Sequence, residues 1–112
     1  MTPVETIGVT VSYKEPITFH LRMIGLTEEN ALRQKMFGLT EEEKAEKSYQ
    51  NNVDMLADLS VKQPDIEGIF SDVTPSDNVR SFFSERSILK ERLAEYAVRG
   101  YFVRLQPDVS FL

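Results

Sequence analysis

IGVTVSYKEPITFHLRM (residues 7–23) is the stretch of sequence that decides the fold. Apolar side chains alternate with small or polar ones through residues 7–13 and again through residues 17–23, which is the period of a strand with one buried face. Pro16 stands in the short segment between the two runs and favours a turn, because proline fixes φ and has no backbone N–H to donate. The stretch therefore predicts a β-hairpin. Two strands alone are marginally stable in water, so helices or another chain must cover the apolar face.

Two helices are predicted after the hairpin. Thr27 stands at the N-cap position of the first helix, and Gly38 is expected to end it. Thr40, with Glu43 three residues later, forms a capping box for the second helix. Apolar residues then recur at spacings of three or four, an amphipathic pattern that we expect to continue until Pro64.

The last part of the chain predicts a further helix or a pair of helices. Thr74 and Pro75 are a favourable N-cap and first helical residue. Ser84 or Ser87 could divide this helix in two, and Gly100 is expected to end it.

Together these segments predict a single α+β domain, an N-terminal β-hairpin followed by three or four α-helices. The polar start of the first strand predicts a free sheet edge, and the pattern leaves the number of strands beyond two open. The expected domain, residues 1–112, consists of the hairpin (1–25), two helices (26–63), a connector (64–75), a C-terminal helix or helix pair (76–100) and an apolar tail (101–112).

Composition limits the classes of protein to which the chain can belong. The 112 residues are 41% hydrophobic and 28% charged, which is typical of a globular domain rather than a disordered segment. No apolar run reaches the ~20 residues of a membrane span, and residues 1–5 lack the pattern of a signal peptide. Cysteine is absent, which excludes disulfides and is typical of a reducing compartment. We therefore expect a cytoplasmic protein that does not bind membranes.

Charge is divided unevenly along the chain. The formal net charge is −5, which disfavours binding to the phosphates of nucleic acids. Residues 26–79 hold 12 acidic and 5 basic side chains, whereas residues 80–104 hold 6 basic and 3 acidic ones. We expect the basic segment to pack near the acidic helices, within the fold or in a neighbouring copy.

The sequence contains no recognisable pattern of catalytic or metal-binding residues. His20 is the only histidine, and no nucleophile is placed for it to activate. Asp54 and Asp58 lie four residues apart and could share a cation or a proton, but a solvated helix face is the commoner outcome. The five glycines form no phosphate-binding loop. We therefore predict that the chain is not an enzyme and has no catalytic residue, no cofactor and no metal.

The residues that follow the last predicted helix are unusually apolar for a terminal segment. Seven of residues 101–112 are aliphatic or aromatic. Two interpretations stay open: the segment docks back onto the core, or it is an exposed binding surface. The adjacent Phe82 and Phe83 raise the same question, because neighbouring helical positions point about 100° apart.

Two passages resemble those of a known family. ITFHLRMIGLTEENAL (residues 17–32) leads from a strand into a helix, and FFSERSILKERLAEYAVRGYFVRLQP (residues 82–107) forms the final segment, with an acidic amphipathic helix between them. This layout, which spans most of the chain, resembles that of the small tail assembly chaperones of long-tailed bacteriophages. It includes no catalytic signature.

The resemblance implies a non-enzymatic role in the cytoplasm of the host cell. Members of the family bind the long, hydrophobic, helical tape measure protein and keep it soluble while tail tube subunits polymerise around it. They are often made in two lengths through a programmed frameshift. The expected partners are therefore the tape measure protein and the tail tube protein, and the free edge and apolar terminus are also compatible with a homo-oligomer.

By this resemblance the chain binds its partner through exposed apolar side chains. An argument from expected apolar exposure, rather than a family motif, selects the candidate contacts. They are Phe82, Phe83, Tyr96, Tyr101 and Phe102.

A small acidic inhibitor, such as an immunity protein or a DNA-mimicking blocker, is the alternative. Residues 41–46 and the face with Asp54 and Asp58 would supply the charge that such a protein needs. An inhibitor should bind one folded target with an affinity that falls steeply in salt, whereas a chaperone of apolar helices should depend on salt only weakly.

Overall fold

The computed structural model describes residues 6–12, 16–66 and 72–105. Strands and helices follow one another in an order that confirms the α+β class, with an N-terminal hairpin before the helices. The elements are β1 (Thr6–Ser12), β2 (Pro16–Arg22), α1 (Leu26–Phe37), α2 (Glu41–Leu59), β3 (Ser60–Asp65), α3 (Pro75–Phe82) and α4 (Ile88–Arg104).

The hairpin supplies two strands of a three-stranded antiparallel sheet in the order β1-β2-β3, with β2 at the centre. Val9 pairs with Phe19 and Ile7 with Leu21, so the apolar positions of both strands point to the same face, which is buried. The opposite face carries polar pairs, among them Thr10 and Thr18, whose hydroxyl groups are 2.7 Å apart. The predicted hairpin is therefore confirmed.

The third strand occupies residues that the sequence assigned to the end of a helix and to a connector. Helix α2 ends at Leu59, not at Pro64, and Ser60 already has extended backbone with φ −67° and ψ 124°. Pro64 is buried within β3, where an edge strand tolerates a proline that cannot donate to the sheet. Pairing with β2, which is distant in sequence, makes residues 60–65 a strand, and local propensity does not predict this pairing.

The helix starts follow local capping signals with one exception. The Thr40 hydroxyl accepts from the Glu43 N–H and the Glu43 side chain accepts from the Thr40 N–H, so the predicted capping box is confirmed. Thr74 caps α3 and Ser87 caps α4, which confirms the division of the last helix at Ser87. Helix α1 starts two residues earlier than predicted, because Gly25 rather than Thr27 is its N-cap.

Helix α4 continues through Gly100 to Arg104, so the prediction that Gly100 ends the helix is wrong. A Cβ atom at this position would lie 3.1 Å from Cγ1 of Val9 on β1. Gly100 is therefore the point at which α4 crosses closely over the sheet, a role of glycine that a sequence cannot distinguish from a helix stop. Tyr101 and Phe102 belong to the helix in consequence.

A single cluster of buried side chains lies between the sheet and the helices. Helix α4 packs on β1, α2 packs on β2, and α3 packs against both α2 and β3. The largest fully buried side chains come from the sheet and from the last three helices, and they are Phe19, Leu21, Leu56, Val79, Val98 and Tyr101.

The basic C-terminal part of the chain packs against the acidic helices, as its charge predicts. Arg80 of α3 donates to Asp54 at 2.5 Å and to Asp58 at 2.9 Å, so one guanidinium joins the two carboxylates that are four residues apart on α2. This pairing explains the Asp54 and Asp58 spacing without a metal ion. In the described part of the chain, no helix has the length and apolar character of a membrane span.

Candidate functional site

The outward side of α4 is a surface of exposed apolar and basic side chains. We call this surface the α4 outer face, and its members are Ile88, Leu89, Arg92, Tyr96, Arg99 and Val103. At about 100° per residue all six positions fall within an arc of about 100° around the helix axis, so they form one surface.

The spacing within the α4 outer face has a period of seven residues. Leu89, Tyr96 and Val103 are seven apart, and Arg92 and Arg99 repeat at the same interval. Because seven residues are close to two turns of about 3.6, the apolar and basic side chains form two parallel rows along the helix. A second helix laid along this surface would meet both rows over its whole length.

The α4 outer face is separate from the core. The residues of α4 that face the sheet and α2 are buried, whereas four of the eight large exposed hydrophobic side chains in the described ranges lie on the α4 outer face, 52% to 71% exposed. Helix α4 is therefore apolar on two sides, and none of the described residues covers the outer one. Such a concentration of exposed apolar side chains is typical of a protein-binding surface.

The α4 outer face is also electropositive. Arg99 donates to Glu95 at 2.8 Å within the same helix, and Glu91, on the preceding turn, is paired with Arg86. Arg92 is exposed and has no ion pair with another described residue. Among the described residues, the carboxylates next to Arg92 on α4 are thus already paired with other arginines, and none of them neutralises Arg92.

Three of the five predicted contact residues lie in the core and not on this surface. Phe83 stacks on Phe19 with ring centroids 6.1 Å apart, Tyr101 is fully buried, and Phe102 packs edge-on against Phe37. The prediction that these three side chains are exposed is therefore wrong. The structure favours docking onto the core for residues 101 and 102, while residues 106–112 lie outside the described residues.

The other two predicted contacts lie in different places. Tyr96 is exposed at the centre of the α4 outer face. Phe82 is half-buried at the end of α3, where the Lys90 ammonium lies 4.6 Å from the centre of its ring and donates to its carbonyl oxygen at 2.6 Å. The structure thus does not bring the five predicted residues together into one surface.

Sequence reasoning missed most of the α4 outer face. Leu89 and Leu93 lie four residues apart, a spacing that predicts one shared apolar stripe, although Leu89 is exposed and Leu93 is buried. The seven-residue repeat of apolar and basic positions was the available signal. This repeat is hard to recognise because α4 carries apolar residues on both sides, whereas an amphipathic helix is expected to have one apolar stripe.

Tyr101 is fully buried and stabilises the fold. Its hydroxyl donates to the backbone carbonyl of Arg22 at 2.6 Å, which ties the end of α4 to the end of β2. Burial raises the pKa of Tyr101 to about 12, although the Arg22 guanidinium opposes the shift. The neutral phenol is therefore the form that the fold requires.

We expect stability to fall steeply between pH 10 and pH 12. An unfolded tyrosine titrates near pH ~10. The raised folded pKa of about 12 therefore contributes stability that is complete below the unfolded value and is lost as pH rises through the folded value. The loss should be on the order of 2 kcal/mol, measured by urea unfolding at several pH values. The Tyr101→Phe variant should show a flatter dependence over this range, and an unchanged slope would contradict the assignment.

Two further shifted pKa values accompany ion pairs that hold elements together. Hydrogen bonds from Arg22 hold the pKa of Glu28 below its usual range. Burial raises the pKa of Asp54, but hydrogen bonds from Arg80 and Gln50 outweigh it and lower the pKa overall. Across the described ranges, no group of three or more acidic or histidine side chains is placed to hold a metal ion.

A groove between α2 and α4 borders the α4 outer face at Arg99. Two cavities of about 230 and 310 Å³ share Lys44, Ser48, Asn52 and Glu95 in their walls. Small-molecule sites are mostly apolar with a few convergent polar groups, and these shared walls are polar. The groove is therefore a weaker candidate than the α4 outer face.

No protein-family model, no curated protein and no solved structure matches the chain. The resemblance to phage tail assembly chaperones accordingly stays a prediction. The function must be argued from the α4 outer face itself.

Proposed function

We propose that the chain is a non-enzymatic protein-binding module that uses the α4 outer face to bind and solubilise a helical partner, and that it acts as a phage tail assembly chaperone for the tape measure protein. The observation that carries the binding role is the exposed apolar row of Leu89, Tyr96 and Val103 on a helix whose opposite side is already packed. The choice of partner comes from the sequence resemblance.

The chemistry of the α4 outer face suits a chaperone of helices. An amphipathic helix exposes one apolar stripe, and covering that stripe removes the surface that would drive aggregation. A negative net charge of −5 on the chaperone would help to keep the complex in solution. The surface is presented on a helix of 17 residues fixed to the core, so little ordering is required on binding.

The test is co-expression with a hydrophobic helical fragment of a phage tape measure protein. We expect the chain to keep the fragment in the soluble fraction and to be recovered with it. The Tyr96→Glu variant should weaken binding by about thirtyfold or more, because a central aromatic contact contributes about 2 kcal/mol or more. The dissociation constant can be measured by titration of the soluble complex.

A matched pair of substitutions separates the α4 outer face from a general effect of charge. Leu89 and Leu26 are both exposed, 58% and 72%, and both lie in the first turn of a helix, where an added glutamate is compatible with the helix dipole. Leu89→Glu should abolish solubilisation, whereas Leu26→Glu should leave it intact. Equal behaviour of the two variants would sink the assignment of the surface.

The acidic inhibitor is kept as an alternative because the first turn of α2 exposes carboxylates. Glu41 is 93% exposed in its side chain, and Glu42 and Glu46 are also exposed. The acidic face with Asp54 and Asp58 contributes less to this alternative, because Arg80 already pairs with Asp54. A salt-sensitive one-to-one complex with a folded protein, lost on Glu42→Lys but not on Tyr96→Glu, would bring the inhibitor to the front.

A further inference from the structure

We infer that the partner of the α4 outer face is an amphipathic helix of another protein that carries carboxylates beside its apolar stripe, and not a second copy of this chain. The inference rests on the proposed function and specifies its partner. It is carried by the arrangement of charge on the α4 outer face.

The two rows of the α4 outer face require two properties in an occupant. The apolar row needs apolar side chains at a spacing of seven, or of three and four, which a helix about 25 Å long would present. The basic row needs carboxylates, because Arg92 has no ion pair with a described residue and would be desolvated by the incoming helix. A glutamate or aspartate next to the apolar stripe satisfies both requirements.

Charge argues against self-pairing through the α4 outer face. In an antiparallel pair centred on Tyr96, Leu89 would meet the apolar Val103 of the copy, but Arg92 would lie within one residue of its Arg99. In a parallel two-fold pair the two rows change sides, so each arginine would lie against the apolar row of the copy. The antiparallel arrangement places like charges opposite one another, and the parallel one places arginines among apolar side chains without a carboxylate; both are destabilising in a partly buried interface.

The remaining described helices do not offer a complementary surface to a second copy. Helix α2 exposes carboxylates in its first turn, but no large exposed hydrophobic residue lies on α2 beside them. Helix α1 has exposed Leu26 and Phe37 at its two ends, with exposed polar residues such as Asn30 and Gln34 between them. We therefore infer that the helix that binds the α4 outer face belongs to a different protein.

Two synthetic helical peptides of equal length test the inference. Both carry leucine at the core positions of a seven-residue repeat. One has glutamate and the other lysine at the flanking positions, so that each repels itself and stays monomeric. We expect the glutamate peptide to bind the full chain about tenfold more tightly than the lysine peptide in low salt. The difference should shrink at high salt.

Variants of the chain assign this preference to a residue. Arg92→Glu should remove the preference or reverse it, and it sacrifices no ion pair between described residues. Lys62→Glu, which makes the same charge change on an exposed position of β3, is the control and should keep the preference. Tyr96→Glu should abolish the binding of both peptides. The helical content of each variant, measured by circular dichroism, verifies that it is folded.

The outcomes separate this inference from the proposed function. Equal binding of the two peptides, lost on Tyr96→Glu, would overturn the charge inference and leave the binding surface standing. If neither peptide binds while the tape measure fragment is still bound in a Tyr96-dependent way, the inference fails and the function survives. Dimerisation in sedimentation experiments that Tyr96→Glu abolishes would overturn it in favour of a second copy. Binding to phosphatidylserine vesicles, lost in Arg92→Glu, would overturn it in favour of a lipid surface.

Discussion

Replacing Tyr101 with alanine should lower the free energy of unfolding by about 4 kcal/mol. The side chain is fully buried, makes an edge-on contact with Phe102 and donates to the Arg22 carbonyl, so the substitution leaves a large cavity and an unpaired acceptor. Because domains of this size are stabilised by only about 5–15 kcal/mol, the variant should be partly unfolded at 37 °C. Urea unfolding followed by far-ultraviolet circular dichroism measures the change.

Tyr101→Phe is the matched control for the hydroxyl group alone. It retains the ring and should cost about 1–2 kcal/mol, since only the hydrogen bond to Arg22 is lost. A Tyr101→Ala variant that kept its stability but lost partner binding would restore Tyr101 as a contact residue, which was the prediction from sequence. The structure favours a stability effect instead.

Replacing Gly100 with leucine should destabilise the protein by about 3 kcal/mol. Any Cβ at this position would lie 3.1 Å from Val9, and the rest of a leucine side chain would push α4 away from β1. Gly100→Ala is the control: a gain in helix propensity of about 1 kcal/mol offsets the tight contact, so the net change should be small. Thermal and urea unfolding of both variants give the comparison.

A double-mutant cycle tests whether the side chain introduced by Gly100→Leu clashes with Val9. Val9→Ala makes room beside residue 100, so the double variant should be more stable than the sum of the two single changes predicts. Strict additivity, or a Gly100→Leu variant with unchanged stability, would mean that α4 does not cross β1 at this point. It would return Gly100 to the role of helix stop.

These core positions and the α4 outer face divide one helix between two tasks. Tyr101 and Gly100 fix α4 against the sheet, while Tyr96 points outward on the same helix. Core substitutions should change stability, and substitutions on the α4 outer face should change binding with little effect on stability. The two classes of variant can therefore be told apart by measuring unfolding and binding on the same samples.

The elements with local signals could be predicted from sequence. The hairpin followed from its alternating pattern, which places Val9 and Phe19 on one buried face. The start of α2 followed from the Thr40 and Glu43 capping box, and Ser87, one of the two serines predicted to divide the last helix, caps α4. Each of these features depends on residues a few positions apart, so the sequence contains all the information that determines them.

The features that depend on distant contacts could not be predicted. Strand β3 forms because β2 offers it a pairing edge, and Pro64, which had suggested a helix end, is accommodated there. Helix α4 continues past Gly100 because the absence of a side chain permits its approach to β1. The same residues would act as breakers in another environment, which is why propensity alone misassigns them.

The sequence by itself determined the α+β class, the hairpin and the N-caps of α2 and α3, and it located the basic segment that packs against the acidic helix α2. Only the tertiary structure decided which aromatic side chains are core and which face outward, burying Tyr101 and leaving Tyr96 exposed five residues earlier on the same helix. The reason is physical: both residues are tyrosine and have the same intrinsic helix propensity. Only the positions of β1 and α2 around α4 determine which side of the helix is removed from water.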